Sequence, residues 1–325
     1  MRKFLLALLG LGGIALAAFL IFAPAWFDKQ TNMVDGEPLP EIRAEAQKLH
    51  DSLMIVDLHG DTLLWKRKIT DSTDYGHIDL DRLEAGNVGL QIFSSVTKTP
   101  RGQNYDSNSA DSDNITMLAI AQLQPVRTWF SLLERQLYHA QKLDRAVKDS
   151  AGALARISNA ADVDGLVEFR ARNRRPIGVM FSAEGLQTLE GKRDNLQKLY
   201  DSGMRMAGLV HFFDNELAGS MHGEKKGGLT KFGRTIVRDM EDMGMIRGFA
   251  ATGGVIGLGY WDGAMCDTDP KTVAKAVRHV RDLVGIEHVA LGSDFDGAVT
   301  TRFDTSGIVQ ITQALMQAGF TEAER

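Results

Sequence analysis

Beyond residue 50 the chain alternates short, mostly apolar runs with longer stretches whose apolar residues recur at helical spacing. The short runs predict strands at 53–58, 89–96, 177–182, 206–210, 254–260 and 289–292. The longer stretches predict helices at 41–50, 80–85, 114–150, 157–170, 186–203, 230–243, 272–284 and 304–318. In the long 114–150 stretch, Leu118, Leu123, Val126, Phe130, Leu133 and Leu137 form a stripe expected to pack into the core. Strands apolar on both faces, each followed by a helix, imply parallel strands covered by helices. The span 50–325 has the size of one α/β barrel of eight such units, a TIM-barrel-like (β/α)8 fold. An open doubly wound sheet is the alternative.

The N-terminus follows another pattern. Arg2 and Lys3 precede an almost uninterrupted apolar run from Phe4 to Ala25, close to the roughly 20 residues that span a bilayer. Residues 1–27 therefore read as a signal peptide or membrane anchor, with Ala23-Pro24-Ala25 as a small-residue cleavage candidate. The basic start favours an inside N-terminus, which puts the rest on the periplasmic or extracellular side. Cleavage or retention stays open. Residues 28–40, with Gly36, Pro38 and Pro40, read as a linker, and 41–325 as the barrel domain.

Composition adds less. A 44% hydrophobic fraction over 325 residues suffices for one large core. A net charge of -5 without a basic block argues against nucleic acid as a partner. The single cysteine, Cys266, excludes an internal disulfide and is expected as a small apolar filler.

Polar residues recur just after the predicted strands: His59, Asp61, Glu184, His211 and Asp294. In a barrel these positions share one face, where active sites sit. His59 and Asp61 are two apart at the end of an apolar strand, so imidazole and carboxylate point the same way, as a hydrolytic zinc centre needs. Glu184 offers two oxygens and could bridge two metals; capping the following helix is its structural alternative. His211 reads equally as a substrate contact or a satisfied structural histidine. Asp294 and Asp296 could move a proton or simply bond their own turn. His222 could reach the site from a Gly/Asn-rich loop, whereas His77, His139, His279 and His288 read as structural or exposed. Trp65, Tyr260 and Trp261 are aromatic core or entrance residues.

Several of these segments carry a recognisable pattern. Val56-Asp57-Leu58-His59-Gly60-Asp61 resembles the opening metal motif of the membrane dipeptidase (renal dipeptidase-like) family. Ser182-Ala183-Glu184-Gly185 is similar to its bridging-glutamate motif, and Leu209-Val210-His211-Phe212-Phe213-Asp214-Asn215 to its substrate-histidine segment. Gly292-Ser293-Asp294-Phe295-Asp296-Gly297 resembles its late aspartate motif, and the order is the family's. The resemblance implies a barrel with two zinc ions per site that hydrolyses dipeptides. It implies His59, Asp61 and Glu184 as metal ligands, with Glu184 bridging. His211 would face the substrate or the tetrahedral intermediate, and Asp294 would assist proton transfer. Dipeptides are the implied partners, with the membrane if the N-terminal segment is uncleaved; a homodimer is left open.

The pattern is broken after Ile246. The family continues there with two strand ends that each carry a histidine and then an arginine-bearing substrate loop; this chain runs straight into Arg247-Gly248-Phe249-Ala250-Ala251-Thr252. The resemblance also implies a final turn and helix beyond Arg325. The chain is accordingly expected to form an incomplete barrel, to hold at most one zinc weakly and to hydrolyse dipeptides poorly. The competing expectation is a catalytically inactive, membrane-anchored dipeptidase-like binding or structural protein.

Overall fold

Each apolar run becomes a strand of one parallel sheet in the computed structural model, which describes residues 2–173, 175–247 and 254–324. The strands are β1 (Ile55–Gly60), β2 (Val88–Phe93), β3 (Leu154–Arg156), β4 (Ile177–Ala183), β5 (Met204–Ala207), β6 (Ile246–Arg247), β7 (Ile256–Leu258) and β8 (Val289–Leu291). The path runs β6-β5-β4-β2-β1-β8-β7, with β3 pairing β4 beside it. Every pairing is parallel. At the centre, β2 and β4 are buried at every position, as their largely apolar sequences favour, with only Gln91 and Ser182 polar.

The barrel expectation holds in its incomplete form. Among the described residues no strand joins β6 to β7, so the sheet has two edges where a closed barrel has none. Residues 248–253, where the family pattern breaks, lie outside the described residues.

Helices pack on the sheet where their caps and apolar faces direct them. Asp79 caps Leu80–Ala85 by accepting from the Arg82 N–H, and Thr230 caps Lys231–Asp242 by accepting from the Gly233 N–H. Leu133, Ala140, Leu143 and Ala146 of Leu132–Asp149 enter the main core with Phe93, Val179 and Phe181.

Three predicted helices come out differently. The 114–150 stretch divides into Ile115–Ala121, Arg127–Phe130 and Leu132–Asp149. Leu123 adopts a left-handed backbone (φ 56°) and Pro125 follows it, so the register is lost between them. The stripe breaks with the register. Leu133 is buried, but Leu123, Val126 and Phe130 are 59%, 60% and 84% exposed, not core. The 186–203 stretch is a 3-10 turn, Leu186–Leu189, followed by a helix, Asn195–Asp201, divided where Glu190 and Gly191 take positive φ. The 157–170 stretch begins its helix only at Ala160, where Asn159 and Asp162 form a capping box. Cys266, expected as a filler, is exposed.

The N-terminal segment is one helix, Arg2–Thr31, continuing through Pro24. By length and composition Lys3–Thr31 could cross a membrane. The segment expected as a linker from residue 28 is docked at its start. Asp28 is buried and accepts from Arg67 Nε at 3.0 Å, and Asn32 Nδ2 donates to Asp28 at 2.7 Å.

His139 is fully buried, with Nδ1 2.8 Å from Ser95 Oγ. Burial, then the charges of Lys142 and Arg135, hold it well below the usual histidine range. The folded chain therefore refuses a proton that the unfolded chain takes up below about pH 6.5. Stability is full above that pH and falls as pH drops through it, by at most about 1.4 kcal/mol per unit. Urea unfolding at pH 7 and pH 5.5 should show a larger acid loss for the native chain than for His139→Gln. Equal losses would assign the acid sensitivity elsewhere.

Candidate metal centre

Parallel strands deliver their C-terminal ends to one face, and the expected polar residues meet there. His59 is the penultimate residue of β1 and Asp61 lies just past its end; Glu184 follows β4 directly. Asp294 lies three residues beyond β8, and His211 four residues beyond β5, in a loop rather than at the strand end expected. His59 Nε2 is 3.4 Å from Asp61 Oδ2, 3.4 Å from Asp294 Oδ1 and 3.8 Å from Glu184 Oε1. His211 Nε2 approaches the same Glu184 oxygen at 3.3 Å. One ligand atom each from His59, Asp61 and Glu184 lies within 4.8 Å of the others. The cluster lines a cavity of about 1880 Å³.

A framework that the sequence reading passed over sets this geometry. Asp57 is fully buried in β1 and accepts from Ser293 N–H (2.9 Å), Ser293 Oγ (2.6 Å), Gln91 Nε2 (3.1 Å) and His59 N–H (3.2 Å). It ties β1 to β2 and to the turn after β8, and so fixes where His59 leaves the sheet. A charged residue inside an otherwise apolar strand was the available signal, since such a group needs partners. Asp296 plays the same part on the far side. It accepts from Thr62 Oγ1 (2.6 Å) and His77 N–H (2.7 Å) and pairs with Arg67. It is a structural anchor, matching its turn reading only in kind. His77 is buried beside it, as expected of a structural histidine. His222 lines the cavity and stacks on Phe212, outside the cluster. Trp65 and Tyr260 are buried, and Trp261 lines the cavity.

The electrostatics are those of an anionic cage. Three carboxylates surround one imidazole. Burial, then the charge of Glu184, pushes Asp61 up to about 7. Burial likewise raises Asp294. Burial opposes a charged His59, yet Asp61, Asp294 and Glu184 outweigh it and hold the ring well above the usual histidine range. Asp61 Oδ1 is buried without a hydrogen-bond partner. A divalent cation would meet that orphaned oxygen and neutralise the cage, and imidazole with carboxylates is a donor set that zinc accepts. The residues fit a metal.

Asp294, Asp296 and Ala298 all have left-handed backbone, with φ of 60°, 65° and 60°. Such residues cost of order 1–3 kcal/mol each and persist only where surroundings over-determine them. Gly297 sits inside this turn. A Cβ there would lie 2.5 Å from Asp294 Oδ1 and 2.9 Å from the Asp294 carbonyl oxygen. Gly297→Ala should therefore displace Asp294. An ångström of misplacement costs about 100-fold in rate. On the reading of Asp294 as a proton carrier, turnover should fall by that order with an unchanged circular dichroism spectrum; unaltered turnover would count against that reading.

The family model described as "Membrane dipeptidase (Peptidase family M19)" matches residues 43–251 and 247–324, two stretches that meet where the sequence pattern breaks. An uncharacterized dipeptidase of Schizosaccharomyces pombe is 32% identical over 217 residues, 64% of this chain and 48% of its own length. The match thus spans about half of that relative. Dipeptidase aclJ of Aspergillus oryzae is 25% identical over 305 residues, 75% of this chain and 67% of its own. Among solved structures, the probable dipeptidase PvdM from Pseudomonas aeruginosa superposes with a TM-score of 0.67 at 15% identity, over 86% of this chain and 93% of that one. A Rhodobacter sphaeroides metallopeptidase, liganded with a phosphinate mimic of the dipeptide L-Ala-D-Ala, gives 0.63 at 17% identity, over 84% and 95%. These likenesses establish the fold, and the two-part match over most of the sequence establishes that the chain belongs to the membrane dipeptidase family, peptidase family M19.

Proposed function

We propose that this chain is a zinc-dependent dipeptidase whose activity is impaired by the break after Ile246. The observation that carries the reading is the convergence of His59, Asp61 and Glu184, with a buried Asp61 oxygen left over for a cation. These three would hold the metal. When bound, it supplies Lewis acidity and lowers the pKa of water toward neutrality. The protein's own groups do the rest. Asp294 takes the proton from the attacking water and returns it to the leaving amine. His211, pointing its Nε2 toward Glu184, donates to the oxygen that gains charge as the peptide carbonyl becomes tetrahedral. Ile92, Val96 and Leu58 give the cavity an apolar wall beside these groups.

A second metal position would need further nitrogen ligands. Among the described residues no histidine besides His59 and His211 joins the cluster. One weakly held zinc and slow turnover follow. The N-terminal helix fits a signal or anchor that leaves residues 41–325, the barrel domain, on the periplasmic or extracellular side.

Native mass spectrometry with zinc, alongside dipeptide hydrolysis, tests the reading. One zinc per chain with slow turnover is expected. Two tightly held ions with steady turnover would overturn the impairment, and no bound zinc would overturn the metal site. Zinc without any turnover would favour the second reading, a dipeptidase-like binding protein, for which the open sheet is the supporting observation. A dipeptide phosphinate, the kind of ligand held by the Rhodobacter neighbour, would then measure binding alone.

A further inference from the structure

The exposed apolar side chains of the 115–130 segment are not scattered. Met117, Leu123, Val126 and Phe130 are between 59% and 84% exposed: Met117 and Phe130 lie in two consecutive short helices, Leu123 in the turn between them and Val126 at the cap of the second. The first of these, Ile115–Ala121, packs against the N-terminal helix. Met117 and Leu118 share one cavity wall with Leu16, Phe19 and Leu20 of that helix.

Depth makes this neighbourhood informative. At 1.5 Å rise per residue, a hydrocarbon core of about 30 Å takes roughly 20 residues. Counted from Phe4, the span would end near Ala23, so Leu16, Phe19 and Leu20 would occupy its outer end. Whatever packs beside them is at the level of the outer leaflet. Lys66 is exposed and its Nζ lies 3.4 Å from the Leu20 carbonyl oxygen, placing a cation where lipid head groups begin. Trp26, 63% exposed, and Phe27, which meets the Trp65 ring at 6.0 Å, supply the aromatic groups typical of that boundary. Arg127, between the apolar positions, is paired with Glu134 at 3.0 Å, which lessens the cost of bringing it to the interface.

We propose that Met117, Leu123, Val126 and Phe130 insert into the outer leaflet beside the N-terminal helix, so that the segment is a second, interfacial membrane contact. The partner is the lipid bilayer. This rests on the reading of the helix as a retained anchor, because the patch is continuous with it. The cavity above His59 then opens at the membrane surface, since the same helices form its wall.

Depth-dependent quenching tests this in the full chain. In a Cys266→Ser background, Phe130→Cys, Phe22→Cys and Leu283→Cys each place a single thiol at an exposed position for an environment-sensitive dye. The protein is reconstituted into phosphatidylcholine–phosphatidylglycerol vesicles carrying nitroxide-labelled lipid. The proposal expects strong quenching at positions 22 and 130, both at the depth of the outer boundary, and none at 283. Quenching at 22 with position 130 behaving like 283 would overturn it while leaving the anchor intact. No quenching at either site would overturn the anchor and the proposal together. Protection of 130 from both lipid and aqueous quenchers would overturn it in favour of contact between two copies of the chain.

Discussion

Glu184→Gln should remove most of the stabilisation expected from zinc at the proposed site without harming the metal-free fold. Glu184 meets His59 on one side and His211 on the other, and its charge helps drive Asp61 up to about 7. Glutamine keeps the shape and removes the charge. Even ligand-supporting groups outside the coordination sphere change metal affinity 10- to 100-fold, so a direct ligand should cost at least about 100-fold. At a zinc concentration of 100 times the native dissociation constant, binding contributes about 2.7 kcal/mol to stability, and a 100-fold weaker site contributes about 0.4 kcal/mol. Without metal, the substitution relieves repulsion among Asp61, Asp294 and Glu184. The metal-free variant should therefore unfold at the same temperature as the native chain or higher. A thermal-unfolding series with and without zinc reads both effects. A full zinc-induced shift in the variant would mean that the metal, if bound, sits elsewhere. Loss of stability in the metal-free variant would make Glu184 a structural residue, as its helix-capping alternative holds.

How much of this was legible beforehand differs by element. β2 and β4 were readable because strands buried on both faces are near-continuously apolar, and few other arrangements tolerate such runs. The convergence of His59, Asp61 and Glu184 was readable for a related reason: parallel strands put all their C-terminal ends on one side. The 115–130 segment misled because periodicity reports a helix and its apolar face but not what covers that face. A core and a bilayer impose the same stripe until a left-handed Leu123 and Pro125 break the register. Asp57 betrayed itself only by its charge in an apolar run; its pairing with Gln91 and Ser293 was opaque for another reason. Their value lies in pairs 34 and 236 residues apart, and no local pattern encodes such separations. The chain near Ile246 was legible as a departure, and the two-part family match meets there, yet sequence alone does not say how β6 and β7 are related in space.

Arg67 is where the docked N-terminal segment and the metal-side turn are held by one side chain, and Arg67→Met should be the most destabilising single change considered. The guanidinium is buried. Its Nε donates to Asp28 at 3.0 Å, Nη1 to the Ile78 carbonyl at 2.6 Å, and Nη2 pairs with Asp296 Oδ1 at 2.5 Å. Burial already raises Asp28 to about 6 against the opposing pull of Arg67. Methionine fills much of the volume but leaves two buried carboxylates facing each other with no cation between them. Breaking a buried pair from one side costs about 3–5 kcal/mol, because the remaining charge is uncompensated. Asp296 keeps its bonds from Thr62, His77 and Ile78, so the turn carrying Asp294 should loosen less than the N-terminal segment. The expected signature in detergent is a large drop in the urea midpoint, with new protease cleavage between residues 28 and 40. Adding Asp28→Asn should recover part of the loss, since it removes one of the two stranded charges. A drop below about 1 kcal/mol would place the pair in the class of solvated surface bridges. It would mean that water reaches Asp28 and Asp296, and that the N-terminal helix is held to the domain by its apolar contacts alone.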